Sequence, residues 1–202
     1  MHRTGYARLG RQFGRFLWEN YRLLIFLALF LIGAVNGCTV FAGLSPEKRT
    51  LLSGILRLSE VPSAVGPFLS AVLSSALLLL LLLAVLFLSG LSACGIPGIA
   101  SVPLLYGLAT GMTEGCCHAA GGWLATAVLV VPPAMVGAWT LLMACAESTR
   151  MTLRLGGQLL PSQKLCGNLW EEFRLYLFRF SVFLLLAFGA ALLGVILRCL
   201  WF

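Results

Sequence analysis

The sequence predicts an all-α, polytopic membrane helix bundle with about five transmembrane helices. Sixty per cent of the 202 residues are apolar and 10 % are charged, with a mean hydropathy of +0.98. A typical soluble domain carries roughly 25 % charged residues, so this composition excludes a soluble enzyme. Five apolar runs are each long enough to cross a hydrocarbon core of about 30 Å as a helix. They lie at residues 23–41, 68–91, 99–118, 123–145 and 180–197, in a single bundle covering 23–202.

Glycine and proline mark the boundaries between these runs. The break Gly95-Ile96-Pro97-Gly98 separates the second run from the third, and Gly121-Gly122 permits a tight turn between the third and the fourth. Pro132 and Pro133 lie in the middle of the fourth run. Proline removes a backbone donor and clashes with the preceding turn, so we expect a kink there. Two half-helices are the alternative, but each half is too short to span alone.

The distribution of Lys and Arg predicts the orientation. Ten of the 14 lie before the first run or between the fourth and the fifth, and four lie on the other side. The side richer in Lys and Arg is normally cytoplasmic. We therefore expect a cytoplasmic N-terminus and an external C-terminus. The net charge of +7 indicates contact with the surface of a lipid bilayer rather than with nucleic acid.

Three polar stretches have amphipathic patterns. Residues 1–22 form a basic N-terminal segment in which Arg8, Arg11 and Arg15 lie opposite Leu9, Phe13, Phe16 and Leu17. Residues 163–179 are expected to lie along the same cytoplasmic leaflet below the fifth run. Residues 45–60 are the one sizeable external segment, and the pattern predicts a helix there with Ser45 as its N-cap and Pro46 at its first position. Its apolar stripe is either a membrane anchor or a partner contact: Leu51, Leu52, Ile55 and Leu56.

The sequence contains no catalytic constellation, and we expect no metal and no cofactor. Asp is absent, and no phosphate-binding loop, zinc-hydrolase motif or Cys-x-x-Cys pair is present. Adjacent residues on a helix point about 100° apart, so Cys116-Cys117-His118 do not converge on one metal. Glu114 is the only acidic residue inside a predicted span. It is a candidate for a proton or cation role, or a polar residue near the external surface.

Gly107, Gly111 and Gly115 recur at four-residue spacing on the third predicted helix. Small residues in such a row allow a second helix to approach closely. The row predicts either internal packing of the bundle or a seam with a partner.

The order of these features resembles the stage II sporulation protein M family. The resemblance covers about residues 16 to 200. It runs from Trp18-Glu19-Asn20-Tyr21 through Gly95-Ile96-Pro97 and the Gly107/Gly111 helix to Gly121-Gly122-Trp123 and Pro132-Pro133. Two positions depart from the family pattern. Tyr106 stands where an Arg is expected, and Ala134 stands where an Asn is expected.

This resemblance implies a non-enzymatic role at the cell membrane. Sporulation members of the family anchor two cell-wall-degrading partners, the stage II sporulation proteins D and P, at the septum during engulfment of the forespore. Residues 42–67 are then the expected external contact. The alternative is a small transporter or permease subunit that uses Glu114 beside the proline-broken helix.

Overall fold

The computed structural model describes residues 21–55, 65–92, 95–159 and 169–201. The N-terminal segment 6–18, Leu56 and residues 163–168 lie outside this part of the chain. Within it the chain forms an all-α membrane helix bundle of six helices. They are α1 (Tyr21–Gly43), α2 (Pro46–Ile55), α3 (Val65–Gly90), α4 (Ile96–Leu129), α5 (Val131–Leu159) and α6 (Leu169–Trp201).

Five crossings of the membrane fit this set of helices. Four stretches are long and apolar enough to span alone, namely Tyr21–Gly43, Leu69–Gly90, Ile96–Ala119 and Trp170–Trp201. The pair Gly122–Leu129 and Val131–Gly156 passes the same test only when its two helices are taken together. With five crossings Tyr21 and Trp201 lie at opposite ends. We call the end containing Tyr21 the basic end, because the sequence concentrates arginine there, and the other the opposite end.

The chain reverses direction within α4 at Gly122. Gly122 has φ 75° and ψ −173°, whereas the residues on either side of it in α4 have helical backbone angles. A positive φ is readily adopted only by glycine. Residues about equally far before and after Gly122 contact each other, since Ile99 contacts Cys145 and Tyr106 contacts Gly137. Ile96–Ala119 and the following span are therefore antiparallel neighbours joined by a one-residue turn.

Helix α6 corrects the expectation for residues 163–179. The sequence predicts a surface stretch there followed by a span beginning at 180, but the structure contains one helix of 33 residues from Leu169 to Trp201. At 1.5 Å per residue this helix is about 50 Å long, well beyond the hydrocarbon core of about 30 Å. Phe173 and Tyr176 face the bundle, and Glu172 pairs with Arg154 of α5. These contacts hold residues 169–179 upright against α5 rather than along the membrane.

The core lies where α3, α4, α5 and α6 meet. Its fully buried members include Leu83, Leu86, Val102 and Leu141, all under 2 % exposed. Helix α1 packs on the outside of this group, chiefly against α4. It buries only one stripe, consisting of Phe26, Gly33, Gly37 and Phe41. The remaining apolar surface of the spans faces outward, as a bilayer requires.

Candidate functional site

Helices α1 and α4 touch through their backbones along a glycine seam, formed by Gly33, Gly37, Gly107, Gly111 and Gly115. A Cβ atom built at Gly111 would lie 2.9 Å from the carbonyl carbon of Ala34 and 3.1 Å from its Cα. One at Gly37 would lie 3.0 Å from the amide nitrogen of Met112. Ordinary carbon contacts are about 3.5–4.0 Å. The two helices therefore approach as closely as they do because glycine occupies these positions.

The seam runs in parallel along both helices. Gly107 lies beside Gly33, and Gly111 lies beside Gly37 one turn later. The Cys38 thiol donates a weak hydrogen bond to the Gly111 carbonyl oxygen at 3.3 Å. Close approach of this kind also brings Cα–H groups toward carbonyl oxygens across the interface. Of the two roles predicted for the glycine row, the structure uses it for packing inside the bundle.

The α1 half of the seam was not singled out from the sequence. Gly33 and Gly37 have the same four-residue spacing as the row on α4. That spacing was the available signal. A small-x-x-x-small pattern on two helices of one chain predicts that they pack on each other.

Helix α2 packs against the glycine seam where α1 ends. Phe41 packs against Gly115, and the Arg49 guanidinium lies over the Phe41 ring, 5.3 Å from its centroid. Arg49 Nη2 also donates to the Ala42 carbonyl oxygen at 2.6 Å. This carbonyl belongs to the last turn of α1, whose carbonyls have no partner within the helix. Arg49 therefore fixes α2 on the end of α1.

The predicted external contact is only partly presented by α2. Leu51 is 69 % exposed, and Leu52 is half-buried. Helix α2 ends at Ile55, whose side chain is outside the described part of the structure, as is Leu56. Leu51 is thus the clearest apolar contact point on this helix.

Glu114 lies on α4 directly before Gly115 and is half-buried. Within the described residues no hydrogen bond or ion pair holds its carboxylate. Cys116 and Cys117 are buried and His118 is exposed, so these side chains diverge. No group of three His, Cys, Asp or Glu in the described part of the chain is arranged to hold a metal ion. Glu114 is placed as a single carboxylate near one end of a span.

The fourth crossing bends by 41° between Leu129 and Val131, directly before the two prolines for which the sequence predicts a kink. Pro132 and Pro133 lack an amide hydrogen, so the carbonyls of Val128 and Leu129 lose their usual helical donors. Hydrogen bonding resumes when the Ala134 amide donates to the Val130 carbonyl at 3.0 Å. The prolines thus occupy the first turn of α5. The helix they begin has 29 residues and runs to Leu159, beyond the end predicted at residue 145 for the kinked fourth span.

Tyr106 of α4 lies against Ala134 of α5. The Tyr106 hydroxyl donates to the Ala134 carbonyl oxygen at 3.5 Å. The Tyr106 ring is buried and stacks on Phe30 of α1, with ring centroids 5.9 Å apart. This contact joins α4 to the first turn of α5.

A hydroxyl cluster at the basic end consists of Ser148 and Thr152 of α5 and Tyr176 of α6, all less than 5 % exposed. Ser148 donates to the Leu86 carbonyl oxygen at 3.0 Å, and Thr152 donates to the Ser89 carbonyl oxygen at 3.2 Å. Tyr176 reaches the Phe87 carbonyl oxygen at 3.2 Å. The last carbonyls of a helix have no internal donors. Side chains of two other helices therefore cap α3.

This cluster was also missed from the sequence. Its members are separated by up to 28 residues and belong to two helices whose pairing the sequence does not show. The accessible signal was the presence of Ser148 and Thr152 one turn apart at the polar end of an apolar run.

Beyond the cluster, α5 residues 147–159 and α6 residues 169–179 continue together as the α5–α6 extension. Arg179 pairs with Glu147 across the two helices at 2.5 Å, and Arg150 lies 3.6 Å from the same carboxylate. Arg154 pairs with Glu172 closer to the end of α5 and the start of α6. These exposed pairs each contribute little, on the order of 0–1 kcal/mol, but they fix the register of the two helices.

An apolar cleft of about 410 Å³ opens between the end of α3 and the α5–α6 extension. Its walls are Leu91, Met151, Leu155, Trp170 and Phe173. Trp170 is 72 % exposed at its edge. The cleft contains no polar side chain suited to catalysis.

The sites differ in chemical character. The seam and the hydroxyl cluster join helices, whereas the α2 surface and the cleft present apolar side chains outward. Glu114 combines a charge with a position inside a span, Ile96–Ala119. Compared with known proteins, the chain matches no family model, no curated protein and no solved structure.

Proposed function

We propose that this protein is a non-enzymatic membrane scaffold that recruits and positions partner proteins. The proposal rests on the hydrogen bonds that the buried polar side chains make within the protein. Within the described residues, every fully buried side-chain nitrogen or oxygen except Nε of Arg49 has a hydrogen-bond partner. Thr110, Thr140 and Ser148 each donate to backbone carbonyls of the bundle. A ligand site needs convergent polar groups directed at the ligand, whereas Thr110 and Thr140 bond to carbonyls of their own helices and Ser148 bonds to a carbonyl of α3.

The resemblance to the stage II sporulation protein M family supplies the class of partner. It favours the cell-wall-degrading stage II sporulation proteins D and P, held at the sporulation septum during engulfment. In this proposal α2 contacts their wall-side domains. Leu51, 69 % exposed on the predicted external side, supports a contact of this kind because apolar anchors commonly dominate binding interfaces.

Co-purification tests the scaffold. The full chain, tagged at its N-terminus, is expressed in its own host under sporulation conditions, extracted in a mild detergent and examined by mass spectrometry. We expect secreted or single-span wall hydrolases to be recovered. The variant Leu51→Glu should lose most of them. The control Leu200→Glu, at a position 79 % exposed at the same end of the bundle, should retain them.

Two results would contradict this proposal. One is recovery of no hydrolase by the unmodified chain from sporulating cells. The other is recovery of an ATPase subunit in its place, which would identify a transport assembly.

The second candidate is a small transporter or permease subunit. It is favoured by Glu114, a half-buried carboxylate with no hydrogen bond or ion pair in the described residues, in a helix adjoining a broken span. Glu114→Gln separates the two functions, because a transporter coupled through this residue loses transport whereas a scaffold keeps its partners. Glu47→Gln, on exposed α2, is the matched control.

A further inference from the structure

Helix α1 carries an amide side chain on its outer surface, inside the hydrocarbon layer. Asn36 is exposed, and its Nδ2 donates to the Ile32 carbonyl oxygen of the preceding turn at 2.9 Å. An amide has two N–H donors and an oxygen acceptor, and within the described residues this side chain makes no other hydrogen bond. Seven residues separate Asn36 from Gly43, where α1 ends, so the amide lies about 10 Å inside the span. Lipid tails offer no hydrogen bonds at that depth.

Asn36 belongs to a row of side chains spaced alternately four and three residues apart. We call this row the α1 outer seam, and its members are Ile25, Leu29, Ile32, Asn36, Thr39 and Gly43. Leu29 is half-buried and the others are exposed. A repeat of about 3.5 residues is the pattern on which two helices pack side by side. None of these residues belongs to the buried stripe of α1. Helix α1 therefore presents a second helix-pairing pattern to the membrane.

We propose that the α1 outer seam binds the same seam of a second copy of this chain, in a parallel pair that joins the two Asn36 amides. An amide is self-complementary, because the Nδ2–H of each copy can donate to the Oδ1 of the other. A two-fold interface of this kind brings the same surface of each copy together. The unused donor and acceptor of Asn36 then satisfy each other without water.

The orientation of the chain favours a second copy over a different protein. Two copies carry the same distribution of Lys and Arg and so insert in the same direction. Their α1 helices are then parallel, and their Asn36 side chains lie at the same depth. A different protein would need its own polar group at that depth. A single Asn in an otherwise apolar repeat also fixes the register of a helix pair.

This pairing does not depend on the proposed function. It uses neither the glycine seam, which joins α1 to α4 within one chain, nor the exposed surface of α2. Because α2 follows directly on the end of α1, the pair presents two α2 helices on the same side of the membrane.

Photocrosslinking between two tagged copies tests the pairing. Two full-length chains with different epitope tags are coexpressed in their own host, and a benzophenone amino acid replaces Ile32 in one of them. We expect a crosslink to residues 29–36 of the chain with the other tag, located by mass spectrometry. Leu185, 72 % exposed on α6, is the control position for the probe. The probe there should give at least fivefold less of this product.

A pair of leucine variants tests the role of the amide. Asn36→Leu in both chains should reduce the crosslink from position 32 at least fivefold, because leucine gains nothing over lipid tails by pairing. The matched control is Ser181→Leu, which replaces an exposed polar side chain on α6 and should leave the crosslink unchanged. The proposal is overturned if the probe at position 32 labels only lipid or another protein, or if position 185 gives an equal product. Equal yields from the two leucine variants would also overturn it.

Discussion

Substituting Gly111 by alanine should separate α1 from α4. The added methyl group would lie 2.9 Å from the Ala34 carbonyl carbon and 3.1 Å from its Cα. These are backbone atoms, so no side-chain rotation can make room. Ordinary contact is about 3.5–4.0 Å, and the helices must therefore move apart by about 0.5–1 Å.

The magnitude follows from opposing effects on the free energy of unfolding. A gap of this size removes a quarter to a half of each contact's attraction along the seam, and overpacking typically costs about 1–3 kcal/mol. Alanine is favoured over glycine within a helix by about 0.5–1 kcal/mol. We therefore expect Gly111→Ala to lower the free energy of unfolding by about 1–2 kcal/mol.

Reversible unfolding in bicelles, measured by steric trapping, can detect this change. Gly189→Ala is the matched control, because a Cβ atom there has nothing within 4 Å. That variant should be neutral or slightly more stable. Equal stability of the Gly111 and Gly189 variants would refute the claim that backbone contact holds α1 to α4.

Three further predictions concern other contacts, each checked by a measurement in the same bicelles. Tyr176→Phe removes the hydroxyl that reaches the Phe87 carbonyl oxygen and should lower the unfolding free energy by about 1–2 kcal/mol, whereas Tyr21→Phe, at a position 49 % exposed, should change it little. A double-mutant cycle on Glu147→Gln and Arg179→Gln should give a coupling of at most about 1 kcal/mol, weakened by salt; a larger, salt-insensitive value would contradict exposed pairing. Replacing Pro132-Pro133 by two alanines restores two backbone donors, so a spin-label distance across the 41° bend should lengthen; an unchanged distance would assign the bend to packing.

The spans could be predicted because bilayer hydrocarbon imposes a length and a composition on every helix that crosses it. The all-α bundle is confirmed, and α1 at Tyr21–Gly43 extends the predicted 23–41 by two residues at each end. The same reasoning was wrong for residues 169–179. Hydropathy alone assigns a polar amphipathic stretch to the surface, whereas in the structure this stretch is the start of α6, where Phe173 and Tyr176 pack on the bundle.

Pairing between helices is the information that the local pattern lacks. The row beginning at Gly107 is visible in the sequence, but its partner depends on which helix lies opposite. Ser148 and Tyr176 likewise acquire their role only when the end of α3 is placed between them. Glu114 was found by its charge alone, because an isolated carboxylate in an apolar run is a local signal.

A photocrosslinking probe at Leu51 in sporulating cells tests the scaffold most directly. This position is 69 % exposed on α2, and the probe reports contact in the intact membrane without extraction. The scaffold predicts a specific crosslink to a wall-degrading enzyme, absent when the probe is moved to Leu200. Crosslinks confined to lipid, or equal labelling from both positions, would contradict it.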